Sequence, residues 1–200
     1  MPARFLSELF TPEVTRAQER YTRRSWALPS GAPPDRLGPD EAAFIAERDS
    51  FYLASISSSG WPYVQHRGGP PGFVRATDDH TLAFADFRGN KQLITTGNVL
   101  ADERVALILV DYPTRTRLKV LGRAHVEDAR SDAALVARFA PEEVRKKVER
   151  VVTIDVVGFD WNCPQFITPR YTVPEIEELV EPLRQRIRDL ETELGRRSAR

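Results

Sequence analysis

The chain holds a single cysteine, Cys163, and only three histidines among 200 residues. One thiol excludes an intramolecular disulfide framework and any zinc site built on several cysteines. Long apolar runs are missing too. The longest, such as Val105 to Val110, spans about six residues against the roughly 20 needed to cross a bilayer, so no membrane partner is expected. Excess charge of either sign is absent, with 29 Lys and Arg against 29 Asp and Glu. That balance gives no electrostatic footprint for non-specific nucleic-acid binding. The first residues, Met1 to Glu8, carry an acid early and no apolar core, so no secretory signal and a cytoplasmic location are expected. Also missing are a Gly-x-x-x-x-Gly-Lys-Ser/Thr loop, a Gly-x-Gly-x-x-Gly helix start, His-Glu-x-x-His and a Gly-x-Ser-x-Gly elbow. No metal site is expected, and no catalytic acid, base or nucleophile stands out.

What remains is ordinary for a globular protein: 41% hydrophobic and 29% charged residues. A chain of this size buries roughly 70% of its unfolded surface, enough for one core without staples. Thr11-Pro12-Glu13 offers an N-cap followed by proline at the first helical position, and predicts a helix to about Arg24. Prolines and glycine make 28–38 a loop, and Pro39-Asp40-Glu41 starts a second helix whose Phe44 and Ile45 face a core.

From Phe51 the apolar period changes from 3.6 to 2. Residues 51–57 and 61–66, joined across Ser58-Ser59-Gly60, predict one hairpin. Residues 73–77 and 81–86, joined across Asp78-Asp79-His80, predict a second. Residues 104–111, 117–126 and 151–159 read as further strands, and 90–100 as a short helix. A helical patch at 131–150 is split by Pro141; Ala133, Ala134, Val136, Ala137 and Phe139 form its packing face, while Lys146, Lys147 and Arg150 are solvated. Strands linked by tight turns predict an antiparallel sheet that closes on itself. His80 is expected in solvent, and His125 either exposed or in the core.

The last segment carries the clearest period. Ile176, Val180, Leu183, Ile187, Leu190 and Leu194 step by four, three, four, three and four residues, a heptad seam. Pro182 falls inside it and removes one helical hydrogen bond. The seam fits either a helix laid on its own sheet or one paired with a second subunit. Residues 196–200 read as a disordered end.

Three stretches stand out as binding candidates. Gln65-His66-Arg67 precedes Gly68-Gly69-Pro70-Pro71-Gly72, and alternation places Gln65 and Arg67 on one face and His66 on the other. This is either a wide hairpin turn or a place where a ligand meets the backbone. Asp86 to Gln92 ends a strand and starts a helix carrying Asn90 and Lys91, and helix amides with a lysine make an anion cradle. The third is Asp160-Trp161-Asn162-Cys163-Pro164-Gln165, an aromatic and polar loop of the kind that covers ligands, with Cys163 a structural member rather than a nucleophile.

Taken in order, 61–72, Asp86 with Gly89-Asn90, Thr96-Gly97-Asn98 and 160–165 resemble the pyridoxamine 5′-phosphate oxidase-like, FMN-binding split-barrel family, in its predicted flavin-nucleotide-binding branch. The resemblance implies a mainly β, α+β fold: a split antiparallel β-barrel with flanking helices and a C-terminal heptad helix. It divides the single domain into a helical arm (1–50) packing on the barrel, an FMN-binding barrel (51–173) and a helix (174–200). It implies a homodimer with FMN at the subunit interface. Gln65, His66 and Arg67 would line the flavin ring and phosphate, Ala85 and Asp86 the ring or ribityl chain, and Asn90 and Lys91 the phosphate. Arg117 would lie near the flavin, with Trp161 and Arg170 coming from the second subunit. Chemistry would be borne by the flavin, on a small-molecule substrate and with a nicotinamide as one candidate electron donor. The true oxidases end in an Arg-x-His segment that grips pyridoxal phosphate; here a heptad helix stands in its place, so vitamin B6 oxidation is not expected. A flavin module without turnover, and a split barrel holding a deazaflavin or haem, remain the alternatives.

Overall fold

The computed structural model describes residues 3–24, 26, 31–162 and 164–198. Its elements, in chain order, are α1 (Ala3–Leu9), α2 (Pro12–Thr22), α3 (Pro39–Ala46), β1 (Ser50–Ile56), β2 (Pro62–Gly68), β3 (Val74–Ala76), β4 (Thr81–Phe87), α4 (Ile94–Ala101), β5 (Arg104–Asp111), β6 (Thr116–Asp128), α5 (Ala133–Phe139), a 3₁₀ turn (Glu142–Lys147), β7 (Val148–Asn162) and α6 (Val173–Ser198). They form two compact units, one running through Asp111 and resuming from Thr116 to the end of β7, the other made of 112–115 and the residues from Pro164 on.

The first unit is a seven-stranded antiparallel sheet in the order β2-β1-β5-β6-β7-β4-β3. Its strands were legible because they alternate. In β1, Phe51, Leu53 and Ser55 are buried while Tyr52 and Ile56 are exposed. The inner face packs Phe51, Phe73, Phe84, Leu107, Leu109, Leu118, Val120 and Ile154 with Ile45 of α3. A second cluster lies on the other face of β4, where Ala83 and Ala85 meet Val136 and Phe139 of α5.

The sheet does not close, which corrects the expected split barrel. β2 and β3 stand at the two ends of the order and share no ladder. β3 is only three residues long, and the segment between them contains Pro70 and Pro71, which have no N–H to extend a ladder. Gly69 turns back instead, its amide donating to Asp49 O. A Cβ on Gly69 would meet the Phe73 ring at 2.5 Å, so the close approach made here is to Phe73. The fold is therefore a mixed α and β one, an open antiparallel sheet with helices at its edges and on its faces.

The exposed edge of β7 beyond Val156 is covered by the loop before α3. Asp35 N donates to Val157 O, and Phe159 N donates to the Asp35 carboxylate at 3.1 Å. Gly158 is where α1 crosses, since a Cβ there would stand 2.7 Å from Phe5 N. At the opposite end of β7 the strand begins at Val148, three residues earlier than expected, and takes Arg150 out of the predicted helical patch. Ala133, Ala134 and Ala137 of that patch are exposed, because α5 buries only Val136 and Phe139.

Helix boundaries follow their caps. Thr11 Oγ1 accepts from Val14 N at the start of α2. Glu41 caps α3 by accepting from Gly38 N at 2.9 Å. In the second unit Thr172 and Glu175 form the same kind of box at the start of α6, Thr172 N donating to Glu175 Oε2 at 2.6 Å. α6 continues to Ser198, so residues 196–198 are helical and not a disordered end. No described helix is long and apolar enough to cross a membrane.

The β3–β4 turn gathers Asp78, Asp79 and His80 at the surface, where Asp79 also pairs with Arg36 at 2.7 Å. The hydrogen bond from the His80 ring to Asp79, 2.7 Å long, raises the imidazole above its ordinary 6.5, with the Asp78 charge adding to it. A raised histidine favours the folded state below pH about 6.5, and that contribution is lost as pH rises through the folded value. In a proton NMR titration His80 should therefore titrate above its ordinary value, and Asp79→Asn should bring it back down. An unmoved midpoint in the variant would remove Asp79 as the cause.

Candidate functional site

At the end of β4 the chain leaves the sheet through Phe87-Arg88-Gly89 and re-enters order at α4. Between them lies a cleft of about 170 Å³, lined by Gln65, Arg67, Asp86, Lys91, Thr95 and Arg150 among others. Its centre is a buried carboxylate. Asp86 is 3% exposed, and its two oxygens accept from Arg67 Nη1 at 2.6 Å and Arg150 Nε at 2.8 Å. Burying a charge is tolerable only when it is paired and hydrogen-bonded. Here two guanidiniums hold one carboxylate, and Arg150 also pairs with Glu149 at 3.2 Å, so the one positive charge in excess on the cleft lining is that of Lys91.

The geometry follows from strand register. Asp86 faces Arg150 across the β4–β7 ladder, and the ladder slips between Asp86 and Phe87. Such a bulge ends regular pairing and re-aims the side chains beside it. Arg67 comes from β2 on the far end of the sheet order, so the Arg67–Asp86 pair spans the open side by side chains alone. Gln65 shares the inward face of β2 with Arg67 and accepts from the Tyr63 hydroxyl.

The other wall is the start of α4. The helix begins at Ile94, not at Asn90, which corrects the expected helix start carrying Asn90 and Lys91. Lys91 and Leu93 both adopt left-handed backbone, φ 61° and 55°, and Gln92 N donates to Asn90 Oδ1 at 3.1 Å. Left-handed non-glycine residues cost energy and collect where a local geometry is needed. The first helical hydrogen bond is Gly97 N to Leu93 O, so the amides before Gly97 in the first turn have no intrahelical acceptor, and no side chain caps them. α4 is tied down by Asn98, whose Nδ2 donates to the buried Ser55 Oγ at 3.0 Å.

Among the described residues, Arg67 Nε and Thr95 Oγ1 are buried in this cleft without a hydrogen-bond partner. Orphaned donors of this kind are costly, and each asks for an explanation. Together with the exposed Lys91 ammonium and the α4 amides they form a set of unfilled donors beside the Arg150–Glu149 pair, the chemistry of an anion site.

Among the residues singled out from the sequence, Gln65, Arg67, Asp86, Asn90 and Lys91 line this one cleft. His66 points to the opposite face of the sheet, where its ring lies edge-on to Tyr52 at 5.5 Å. Arg117 shares that outer face, two positions along β6 from Lys119, which pairs opposite Ile108. Ala85 is buried against α5. Trp161 is docked on α3, its Nε1 donating to Glu41 Oε1 at 2.7 Å and its ring edge-on to Phe44. Arg170, in the second unit, lays its guanidinium over the Tyr112 ring at 4.9 Å. Cys163 lies outside the described residues. Arg150 was missed: between Lys146, Lys147 and Glu149 it reads as one more solvated charge, and only the run Val148-x-x-Val151-Val152-x-Ile154 hinted at a strand beginning before it.

The fold and the cleft together define an antiparallel-sheet protein with a group of unfilled hydrogen-bond donors at a helix start. A profile of the pyridoxamine 5′-phosphate oxidase family matches residues 37–159. The chain belongs to that family. Among solved structures it is similar to a putative pyridoxamine 5′-phosphate oxidase of Lactobacillus delbrueckii, at 21% identity and a TM-score of 0.48 over 62% of this chain and 93% of that one. HupZ of Group A Streptococcus matches at 15% identity and 0.49, over 68% and 99%. General Stress Protein 26 of Bacillus anthracis matches at 14% and 0.45, over 61% and 91%. A search of curated proteins finds no match.

Proposed function

We propose that the chain is an FMN-dependent oxidoreductase acting on a small molecule, assembled as a homodimer with the flavin at the interface. The observation that carries it is a cleft facing the α4 start in which Arg67, Arg150 and Lys91 outnumber Asp86 and Glu149, with Arg67 Nε and Thr95 Oγ1 still seeking acceptors. A phosphate monoester supplies those acceptors, and family membership makes a flavin nucleotide the natural bearer of it. When bound, the flavin supplies hydride transfer; Arg67, Lys91 and the α4 amides would hold its phosphate, and Gln65 would face its body.

Size supports the second subunit. The cleft, about 170 Å³, suits a phosphate and part of the ribityl chain, well below the roughly 300–1,000 Å³ of a complete small-molecule site. The ring must therefore lie against another surface. The outer face of the sheet offers one: Tyr52, Ile56 and Val64 are exposed there, beside a largely apolar hollow of about 360 Å³ lined by Ala54, Pro62, Ala106 and Leu121. His66 and Arg117 belong to that face and would meet the flavin held by the partner.

The test is reconstitution. Purified protein mixed with FMN should bind it saturably, quench its fluorescence and show the flavin absorption bands, and nicotinamide addition should bleach them if it is the donor. Saturable binding without reduction by any donor would favour a flavin module. No binding of FMN, with a haem or deazaflavin spectrum in the protein as purified, would overturn the reading.

A further inference from the structure

α6 is amphipathic, and its apolar residues are exposed: Ile176, Leu183, Ile187, Leu190 and Leu194 all stand in solvent, with Val180 half-buried. They fill a heptad seam in which Val180, Ile187 and Leu194 take the a positions and Ile176, Leu183 and Leu190 the d positions. Pro182 falls at c, off the seam, so the hydrogen bond it removes leaves the apolar stripe continuous. Three heptads of leucine and isoleucine left in water need a partner.

From this seam we infer that α6 pairs with α6 of a second copy of this chain as a parallel, in-register coiled coil. Two independent features point to that occupant and that orientation. Valine and isoleucine at a with leucine at d, the pattern of the two central heptads, favours parallel two-stranded packing. The flanking charges agree. Arg186 at g and Glu191 at e lie five residues apart, the spacing that joins g of one helix to e of its parallel neighbour, and the twofold axis makes the pair twice. Among the described residues neither is in an ion pair within its own chain, whereas Arg188 and Glu181, both at outward b positions, pair with one another at 2.7 Å.

Antiparallel pairing is the competing geometry, and the charges oppose it. The antiparallel register that keeps all six apolar layers sets Arg184 against Arg184, Arg186 against Arg186 and Glu177 against Glu191. Sliding by one heptad one way turns Val180 toward Arg197 and leaves Ile176 without a layer; sliding the other way sets Glu177 against Arg184 but leaves Leu194 outside the seam. The inference stands apart from the flavin reading, since it uses no residue of the cleft.

The full-length chain carrying Cys163→Ser and Leu194→Cys provides the test, because the two 194 positions face each other only in the parallel pair. Mild oxidation should give a disulfide-linked dimer on a non-reducing gel. Glu191→Arg should raise the dimer dissociation constant about tenfold, and adding Arg186→Glu should restore it, as expected for two surface pairs turned from attraction to repulsion. Leu194 is exposed, so its replacement leaves folding intact. Sedimentation of the unoxidised chain separates the outcomes. A dimer that fails to cross-link through position 194, or that links only when mixed with Leu183→Cys or Ile176→Cys protein, overturns the parallel coil and leaves the dimer standing. A monomer overturns both.

Discussion

Arg67→Ala combined with Lys91→Ala should weaken FMN binding by about 3–6 kcal/mol, two charge-assisted hydrogen bonds at about 1.5–3 kcal/mol each. In dissociation constants that is a loss of between a hundredfold and ten-thousandfold, read by titrating FMN fluorescence. The two residues separate binding from folding. Lys91 is exposed on a left-handed turn, so Lys91→Ala alone should leave the melting temperature within about a degree while costing roughly tenfold or more in affinity. Arg67 also holds Asp86, so Arg67→Ala should lower both. Raising ionic strength should weaken wild-type binding more than that of the double variant, because the lost term is electrostatic. Equal affinity in wild type and double variant would place the phosphate elsewhere.

What the sequence could show and what it could not divide along a physical line. Features set within a few residues were legible. Thr11-Pro12 starts α2, Pro39 opens α3, and the period-2 stretches around Phe51, Thr81 and Val105 are strands, because capping and alternation act over one turn or one pleat. Features set by pairing across the chain were not. Closure of the sheet depends on whether β2 meets β3, and no local pattern tells that a three-residue β3 and the Pro70-Pro71 segment leave both ends open. Arg150 earns its place only through its register opposite Asp86, 64 residues away. Lys91 and Leu93 show a third kind of blindness. Nothing in a lysine or a leucine announces a positive φ, and these two residues delay α4 from Asn90 to Ile94, so that Asn90 and Lys91 form a wall of the cleft and the free amides belong to the residues after them.

The spaced motifs nevertheless led to five of the cleft's residues, and the reason is that they come from separate elements. Gln65 and Arg67 ride on β2, Asp86 on β4, Asn90 and Lys91 on the turn that follows. A resemblance spread over several elements survives an error in any one of them, including the error about the barrel. It is weakest for residues assigned to a second subunit. Trp161 serves its own chain by holding Glu41 and Phe44, and a role toward a partner's flavin would have to be added to that structural one.

Asp86→Ala is the substitution expected to destabilise the fold most. It removes the carboxylate shared by Arg67 and Arg150 and leaves Arg67 without its partner, while Arg150, 15% exposed, keeps only Glu149 at 3.2 Å. Breaking a buried pair in this way costs about 3–5 kcal/mol, a large share of the roughly 5–15 kcal/mol that holds a domain together. At about 2–4 °C per kcal/mol for a unit of this size, the melting temperature should fall by about 10 °C. Asp86→Asn keeps the shape and one acceptor and should cost less. The informative comparison is the triple replacement Arg67→Met, Asp86→Leu, Arg150→Met. An apolar trio needs no desolvated charges, so thermal unfolding should recover most of the stability lost in Asp86→Ala. FMN affinity should not recover, because the net positive charge has gone with the ions. Stability restored without binding would mean that the trio is kept for its charge. Binding restored with stability would show instead that it only braces the end of β4, and the anion would then rest on Lys91 and the α4 amides alone.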